Sequence, residues 1–218
     1  MPESIIVINP NSTTACTDAI DAAIQPLRMA GGPDIECVTM NEGPPGVESQ
    51  HDSDSIIMPL CDYMRGRDND AGAFVIACFS DPGLHAARET TDHPVLGIAE
   101  SAYMTAMTQG EKFGVISILE PSVKRHGRYV RQIGLEQRSA GDRAIGLGVV
   151  ELSQEEIVLD RMIETGRALR DEDGADVLIL GCAGMARYRD RVSDALSMPV
   201  VEPTQSAVAM ALGRLRCG

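Results

Sequence analysis

The sequence predicts an α/β protein of two pseudo-symmetric lobes, each a four-stranded parallel sheet flanked by helices, with a candidate active site in the cleft between them. Three observations carry this expectation. Short apolar runs alternate with longer amphipathic segments, the pattern of parallel strands joined by crossover helices. The runs number eight and fall into two sets of four. The sets also correspond: 73-AFVIACFSDPG-83 and 175-ADVLILGCAGM-185 each carry an apolar run up to a cysteine, Cys78 and Cys182, 104 positions apart.

The first strand candidate, 5-IIVI-8, runs into the turn 9-NPNSTT-14, where Asn11 and Ser12 suit a helix N-cap and a contact to a polar ligand equally well. The second, 35-IECVTM-40, precedes 42-EGPPGVESQHDSDS-55, a Gly-, Pro- and polar-rich loop suited to a flap. The third is 73-AFVIA-77, and the fourth, 95-VLGI-98, leads to Glu100. The second set opens on 113-FGVIS-117, whose turn 117-SILEPS-122 answers 9-NPNSTT-14. It continues with 145-IGLGVV-150, 176-DVLIL-180 and 199-PVVE-202, ending on Glu202, 102 positions after Glu100. Apolar on both faces, the strands are expected to be buried under helices. Ser153-Gln154-Glu155-Glu156 has the pattern of a capping box and announces a helix. Glu100 and Glu202 read either as acids at helix starts or as hydrogen-bonding groups that steady the cysteine-bearing loops. The expected division is an N-terminal lobe at 1–98, joined by a C-terminal helix at 203–218, and a C-terminal lobe at 99–202. Ligands bind such sheets at the carboxyl ends of the strands, so two facing lobes would bring Cys78 and Cys182 to confront each other.

Composition narrows the function classes. With 218 residues and 44% hydrophobic content the chain can bury a sizeable core. A formal net charge of −13, with basic residues scattered among acids, excludes a nucleic-acid partner and points to a small molecule. The start, MPESIIVINPNS, holds an apolar run too short for a secretory segment and lacks a basic flank. No stretch approaches the ~20 apolar residues of a membrane span, so no membrane partner is expected and the cytoplasm is the expected location. The six cysteines show no C-x-x-C spacing and are expected to be free thiols, with Cys16, Cys37, Cys61 and Cys217 as small buried hydrophobes. The histidines His51, His85, His93 and His126 form no i, i+4 pair and no ligand-like spacing with the cysteines, so no metal is expected. No glycine-rich phosphate motif follows the first strand, so no nucleotide is expected either. Aromatic residues are 3% of the chain with no Trp, and Phe79 is the aromatic candidate to touch a ligand's substituent.

Two opposed thiols suit one kind of chemistry. Inverting a carbon beside an amide carbonyl requires a base on one face and an acid on the other. A cysteine, with pKa ~8.5 in water, serves as either when helix N-terminal amides favour its thiolate. The enolate oxygen formed in between needs donors, and the backbone amides of Phe79, Ser80, Ala183 and Gly184 are placed for it.

The stretches 5-IIVINPNSTTACTDAI-20, 43-GPPGVES-49, 77-ACFSDPGLHAARE-89 and 181-GCAGMA-186 resemble, in order along nearly the whole chain, the hydantoin racemase and allantoin racemase branch of the aspartate/glutamate racemase superfamily. The resemblance implies a four-stranded parallel sheet in each half and a cyclic ureide as substrate. It also implies that Cys78 and Cys182 act from opposite faces without metal or pyridoxal phosphate, in a homo-oligomer. Where that family often carries two threonines after the fifth strand, this chain reads Ser117-Ile118, which makes Ser117 a candidate substrate contact. The expected activity is therefore racemisation of a 5-substituted hydantoin or allantoin. The alternatives are a racemase or cis-trans isomerase of an amino acid or small dicarboxylate, and a non-catalytic small-ligand binding protein. An arylmalonate-type decarboxylase is disfavoured, because that pattern lacks one of the two cysteines.

Overall fold

Strand order is what brings the two cysteines to equivalent places. The computed structural model describes residues 4–217; residues 1–3 of the expected N-terminal lobe and residue 218 of the expected C-terminal helix lie outside the described residues. In the first half β1 (Ser4–Asn9), β2 (Ile35–Thr39), β3 (Ala71–Ile76) and β4 (Val95–Gly97) form a parallel sheet in the order β2-β1-β3-β4. In the second half β5 (Phe113–Ser117), β6 (Ser139–Ala144), β7 (Val177–Leu180) and β8 (Val200–Val201) form another, in the order β6-β5-β7-β8. The two orders are the same, and β3 and β7, which lead to Cys78 and Cys182, hold the same central position.

Nine α-helices are found among the described residues: α1 (Thr14–Ile24), α2 (Gln50–Ser55), α3 (Ile57–Gly66), α4 (Leu84–Arg88), α5 (Ile98–Ala106), α6 (Glu120–Gln132), α7 (Glu155–Asp171), α8 (Arg189–Leu196) and α9 (Pro203–Cys217). Side chains alternate across a strand, so each sheet buries two faces. On one face of the first sheet Ile5 and Val7 meet Ile20 and Ile24 of α1 together with Ala207, Val208 and Ala211 of α9. On the other, Ile6, Ile8 and Phe74 meet Leu60 and Met64 of α3. The second sheet packs Ile116, Leu178 and Leu180 on Val158 and Met162 of α7 and on Val192 and Leu196 of α8. Its opposite face packs Val115, Val177 and Ile179 on Ala99, Ala102, Tyr103 and Ala106 of α5. Ile5, Ile6 and Ile8 are fully buried, each worth roughly 2 kcal/mol over exposure. None of the described helices is long and apolar enough to cross a membrane.

The structure corrects the sequence expectation at several points. The sixth strand is Ser139–Ala144 and not 145–150. It lies at a sheet edge and is only half-buried, so Asp142 and Arg143 are tolerated in it and no apolar run marks it. The apolar alternation of Ile145, Leu147 and Val149 belongs to a connecting segment, which Gly146 breaks at φ 73°. β2, the other edge of its kind, is likewise partly exposed rather than fully covered. Ser153 forms no capping box: its hydroxyl donates to the Val150 carbonyl (3.1 Å), and the N-cap of α7 is Gln154 without a side-chain bond. A capping box does occur at Ser49 and Asp52, where each side chain accepts from the other's backbone N–H (3.0 and 2.9 Å). It starts α2, so the segment 42–55 is loop only as far as Ser49.

Candidate active site

The carboxyl ends of the four central strands converge on one cavity. In each sheet the chain leaves the first strand to one side and returns on the other, opening a crevice between β1 and β3 and between β5 and β7. Asn11 follows β1, Cys78 follows β3, Ile118 follows β5 and Cys182 follows β7, and all four line the cavity. The cavity, partly open to solvent, is about 30 Å³, room for two or three waters at ~10–15 Å³ each.

Two segments meet over that space, and Val47 of one and Val149 of the other both line it. Arg125 Nη1 donates to the Glu48 carbonyl (2.9 Å), the Val149 N–H donates to Glu48 Oε1 (2.8 Å), and Arg128 Nη2 donates to Gln50 Oε1 (2.6 Å). The segment before Glu48 is tied to the first turn by the Ser12 N–H to the Pro44 carbonyl (2.9 Å) and the Thr13 hydroxyl to the Pro45 carbonyl (2.7 Å). The bonds of Glu48 and Gln50 run between the two halves of the chain, while those of Ser12 and Thr13 stay within the first.

Cys78 sits in a tight turn: its carbonyl accepts from the Asp81 N–H (2.9 Å), and Asp81 has φ 41°, a left-handed conformation that Asp tolerates better than most residues. From there the buried Asp81 carboxylate accepts from the N–H groups of Ala99 (2.9 Å) and Glu100 (2.8 Å), capping α5 and pinning the cysteine turn to the next strand's end. The steadying residue is therefore Asp81. The Glu100 side chain instead pairs with Arg88 of α4 (2.5 Å), and the Glu202 carboxylate accepts from Thr204 N–H (3.1 Å) and Gln205 N–H (2.6 Å) at the start of α9. Sequence marked Asp81 only as part of an Asp-Pro-Gly turn.

Burial pushes the Asp81 carboxyl up to about 7, against the opposing effect of the two amide bonds. Unfolded, it would titrate near ~4. Its stabilising contribution is thus complete below about pH 4 and lost as pH rises through 7. An Asp81→Asn variant, which keeps a capping side chain but cannot titrate, is expected to gain on the wild type by several degrees in thermal midpoint between pH 4.5 and pH 8. A difference that stays constant with pH would contradict this.

On the other side Gly181 brings Cys182 out of β7: its N–H donates to the Ile116 carbonyl (2.8 Å), and a Cβ there would lie 2.7 Å from that oxygen. Cys182 then starts the 3-10 helix Ala183–Tyr188, its carbonyl accepting from the Met185 N–H (3.1 Å). Both cysteines are partly buried on the cavity wall. Burial pushes Cys78 up to about 11, opposed by hydrogen bonds from Ser80 and by the Arg125 charge. It pushes Cys182 higher still, with Cys16 adding to the effect and the Gly184 amide opposing it. The expected lowering by helix N-termini is outweighed by desolvation.

Of the residues expected to touch a ligand, Asn11, Phe79, Ser80 and Ala183 line the cavity with the two cysteines. The N-cap of α1 is Thr13, without a side-chain bond, so neither Asn11 nor Ser12 caps the helix; Asn11 Oδ1 instead accepts from the Thr13 N–H (2.9 Å) within the turn. Ser12, Ser117 and Gly184 are not on the wall. Ser12 holds Pro44 through its backbone, and Gly184 stands behind Cys182, where a Cβ would meet Leu152 at 2.8 Å. Ser117 is fully buried, its hydroxyl donating to Asp142 Oδ1 (2.5 Å) and touching His126 Nδ1 (3.0 Å), which Asp142 Oδ2 also holds (2.8 Å). Cys16, read as a small buried hydrophobe, is buried but reaches the cavity, and Cys217 is exposed. Unforeseen are Ser122, Arg125 and His126 of α6, which share one helix face and line the cavity. Mid-helix polar residues carry no sequence mark that separates this face from a solvated one.

Comparison with known proteins places these features in context. The family model for Asp/Glu/Hydantoin racemase matches residues 5–211. A hydantoin racemase of Paenarthrobacter aurescens is 36% identical over 211 residues, 95% of this chain and 89% of that protein. Among solved structures, an allantoin racemase from Klebsiella pneumoniae superposes with a TM-score of 0.90 at 33% identity, covering 99% of this chain and 89% of its own. Another, from Pseudomonas fluorescens, gives a TM-score of 0.94 at 28% identity, covering 99% and 92%.

Proposed function

The chain belongs to the Asp/Glu/Hydantoin racemase family, and from that premise we propose that it is a racemase of a 5-substituted hydantoin or allantoin, working by proton transfer between Cys78 and Cys182. The observation that carries this is that the two cysteines of the repeated strand-to-turn elements line one cavity. One thiolate takes the proton on the ring carbon beside the carbonyl, and the opposed thiol returns one to the other face. The polar wall of Asn11, Ser80, Ser122 and Arg125 supplies donors to ring oxygens and to the developing enolate. Names of similar proteins support a cyclic ureide as the substrate class.

The test is the optical rotation of single enantiomers incubated with the pure protein. Rotation of allantoin, or of a 5-alkyl hydantoin, is expected to fall to zero, and which of the two decays faster assigns the ring substituent. Unchanged rotation across a panel of ureides and amino acids would leave a binding protein as the better account.

A further inference from the structure

α6 follows β5 as α1 follows β1, but where α1 brings Cys16 to the cavity α6 brings Ser122, Arg125 and His126. Arg125 is 8% exposed and lines the cavity. Its Nε donates to Ser80 Oγ (3.4 Å), its Nη1 to the Glu48 carbonyl (2.9 Å) and its Nη2 to Ser122 Oγ (3.1 Å). All three acceptors are neutral, and among the described residues no carboxylate pairs with this guanidinium. A buried charge without a counter-charge is costly, so the arrangement favours an anion nearby. The group beyond Ser80 is Cys78, to which Ser80 hydrogen-bonds through backbone and side chain. Cys182 has the opposite surroundings: Cys16, Cys78 and the Glu48 carboxylate all disfavour a negative charge there, and the Gly184 amide opposes them.

We infer that Arg125 is a positioning residue that makes Cys78, and not Cys182, the thiol that ionises first. The inference rests on the two-cysteine racemase reading and gives it a direction. The Cys78 thiolate takes the proton from the ring carbon, and the C–H electron pair moves to the adjacent carbonyl oxygen. When that pair returns to carbon, the Cys182 thiol delivers its proton to the opposite face. Cys78 ends as thiol and Cys182 as thiolate. A proton then passes through solvent from Cys78 to Cys182 and restores the starting form. The charged and titratable groups facing Cys78 are Asp81 in its own turn, Arg125 and His126 from α6, and Cys182 across the cavity, and Arg125 itself feels Arg128 and Asp52. Arg125 is the cation among those that act on the sulfur.

The test is alkylation by iodoacetamide from pH 6 to pH 10, with each cysteine followed by peptide mass spectrometry. In the wild type Cys78 is expected to react about tenfold faster than Cys182, with its midpoint at the lower pH. Arg125→Gln is expected to slow Cys78 about tenfold and raise its midpoint by about one pH unit, while Cys182 changes less. Arg125→Lys, which restores the charge without the planar fork, is expected to recover most of the Cys78 rate, a rescue that a purely structural role for the three hydrogen bonds does not give. An unchanged Cys78 profile in Arg125→Gln overturns the inference. So does faster reaction at Cys182 in the wild type, which leaves the two-cysteine reading standing and needs no variant to fold. If neither cysteine reacts ahead of buried Cys61, both fall together.

Discussion

Cys78→Ser and Cys182→Ser are each expected to lose racemase activity by roughly 10³-fold or more, because a hydroxyl is far too weak an acid to serve as matched donor or base near neutrality. Both side chains line the same small cavity, so the substitutions change chemistry with little change of volume. The informative measurement is hydrogen exchange followed by NMR. In D₂O the wild type is expected to place deuterium chiefly in the product of opposite configuration, while remaining substrate stays protiated early in the reaction. Each single variant keeps one thiol and is expected to exchange the ring-carbon hydrogen of one enantiomer without inverting it. The two variants should prefer opposite enantiomers. Full racemisation by either one would rule out the two-thiol mechanism.

Gly97→Ala is expected to destabilise the protein by about 3 kcal/mol, since it combines overpacking with loss of a helix cap. A Cβ at Gly97 overlaps the Asp81 carboxylate, a short side chain already held by the Ala99 and Glu100 amides. The carboxylate has to leave, and the Cys78 turn leaves with it, because Asp81 N–H is bound to the Cys78 carbonyl (2.9 Å). Denaturant unfolding would report the stability loss, and the residual folded protein should show a lowered kcat. A variant with wild-type stability and turnover would show that the turn tolerates displacement. Asp81→Asn, which keeps one of the two capping acceptors without any overlap, is the comparison that separates capping from overlap.

The central strands were legible because burial on both sides favours apolar residues: β3, β5 and β7 are buried throughout, β1 is buried from Ile5 onward, and all four read as apolar runs. β6 was not, since an edge strand needs no such run, and the nearby alternation of Ile145, Leu147 and Val149 had another use beside the cavity. The cysteines were legible because a strand ending on Cys and a turn occurs twice. Asp81 was visible as turn chemistry, but its reach to α5 depends on the neighbouring strand's end, which sequence spacing does not encode. Arg125 and His126 become part of the site only when α6 is laid against the opening between the two sheets. Their helical spacing alone fits a solvated face equally well.

Glu48 joins Arg125 and Val149 beside a small cavity, so breaking these two bonds would widen the way to the cysteines. With the segments apart, water reaches both sulfurs and a proton leaves either of them easily. With the segments together, the same sulfur atom would meet less water, and an anion there would bind a proton more avidly. On the racemase reading proposed above, one such movement would first ease ionisation of a thiol and then make the thiolate a stronger base, the order that abstraction from a weak carbon acid requires.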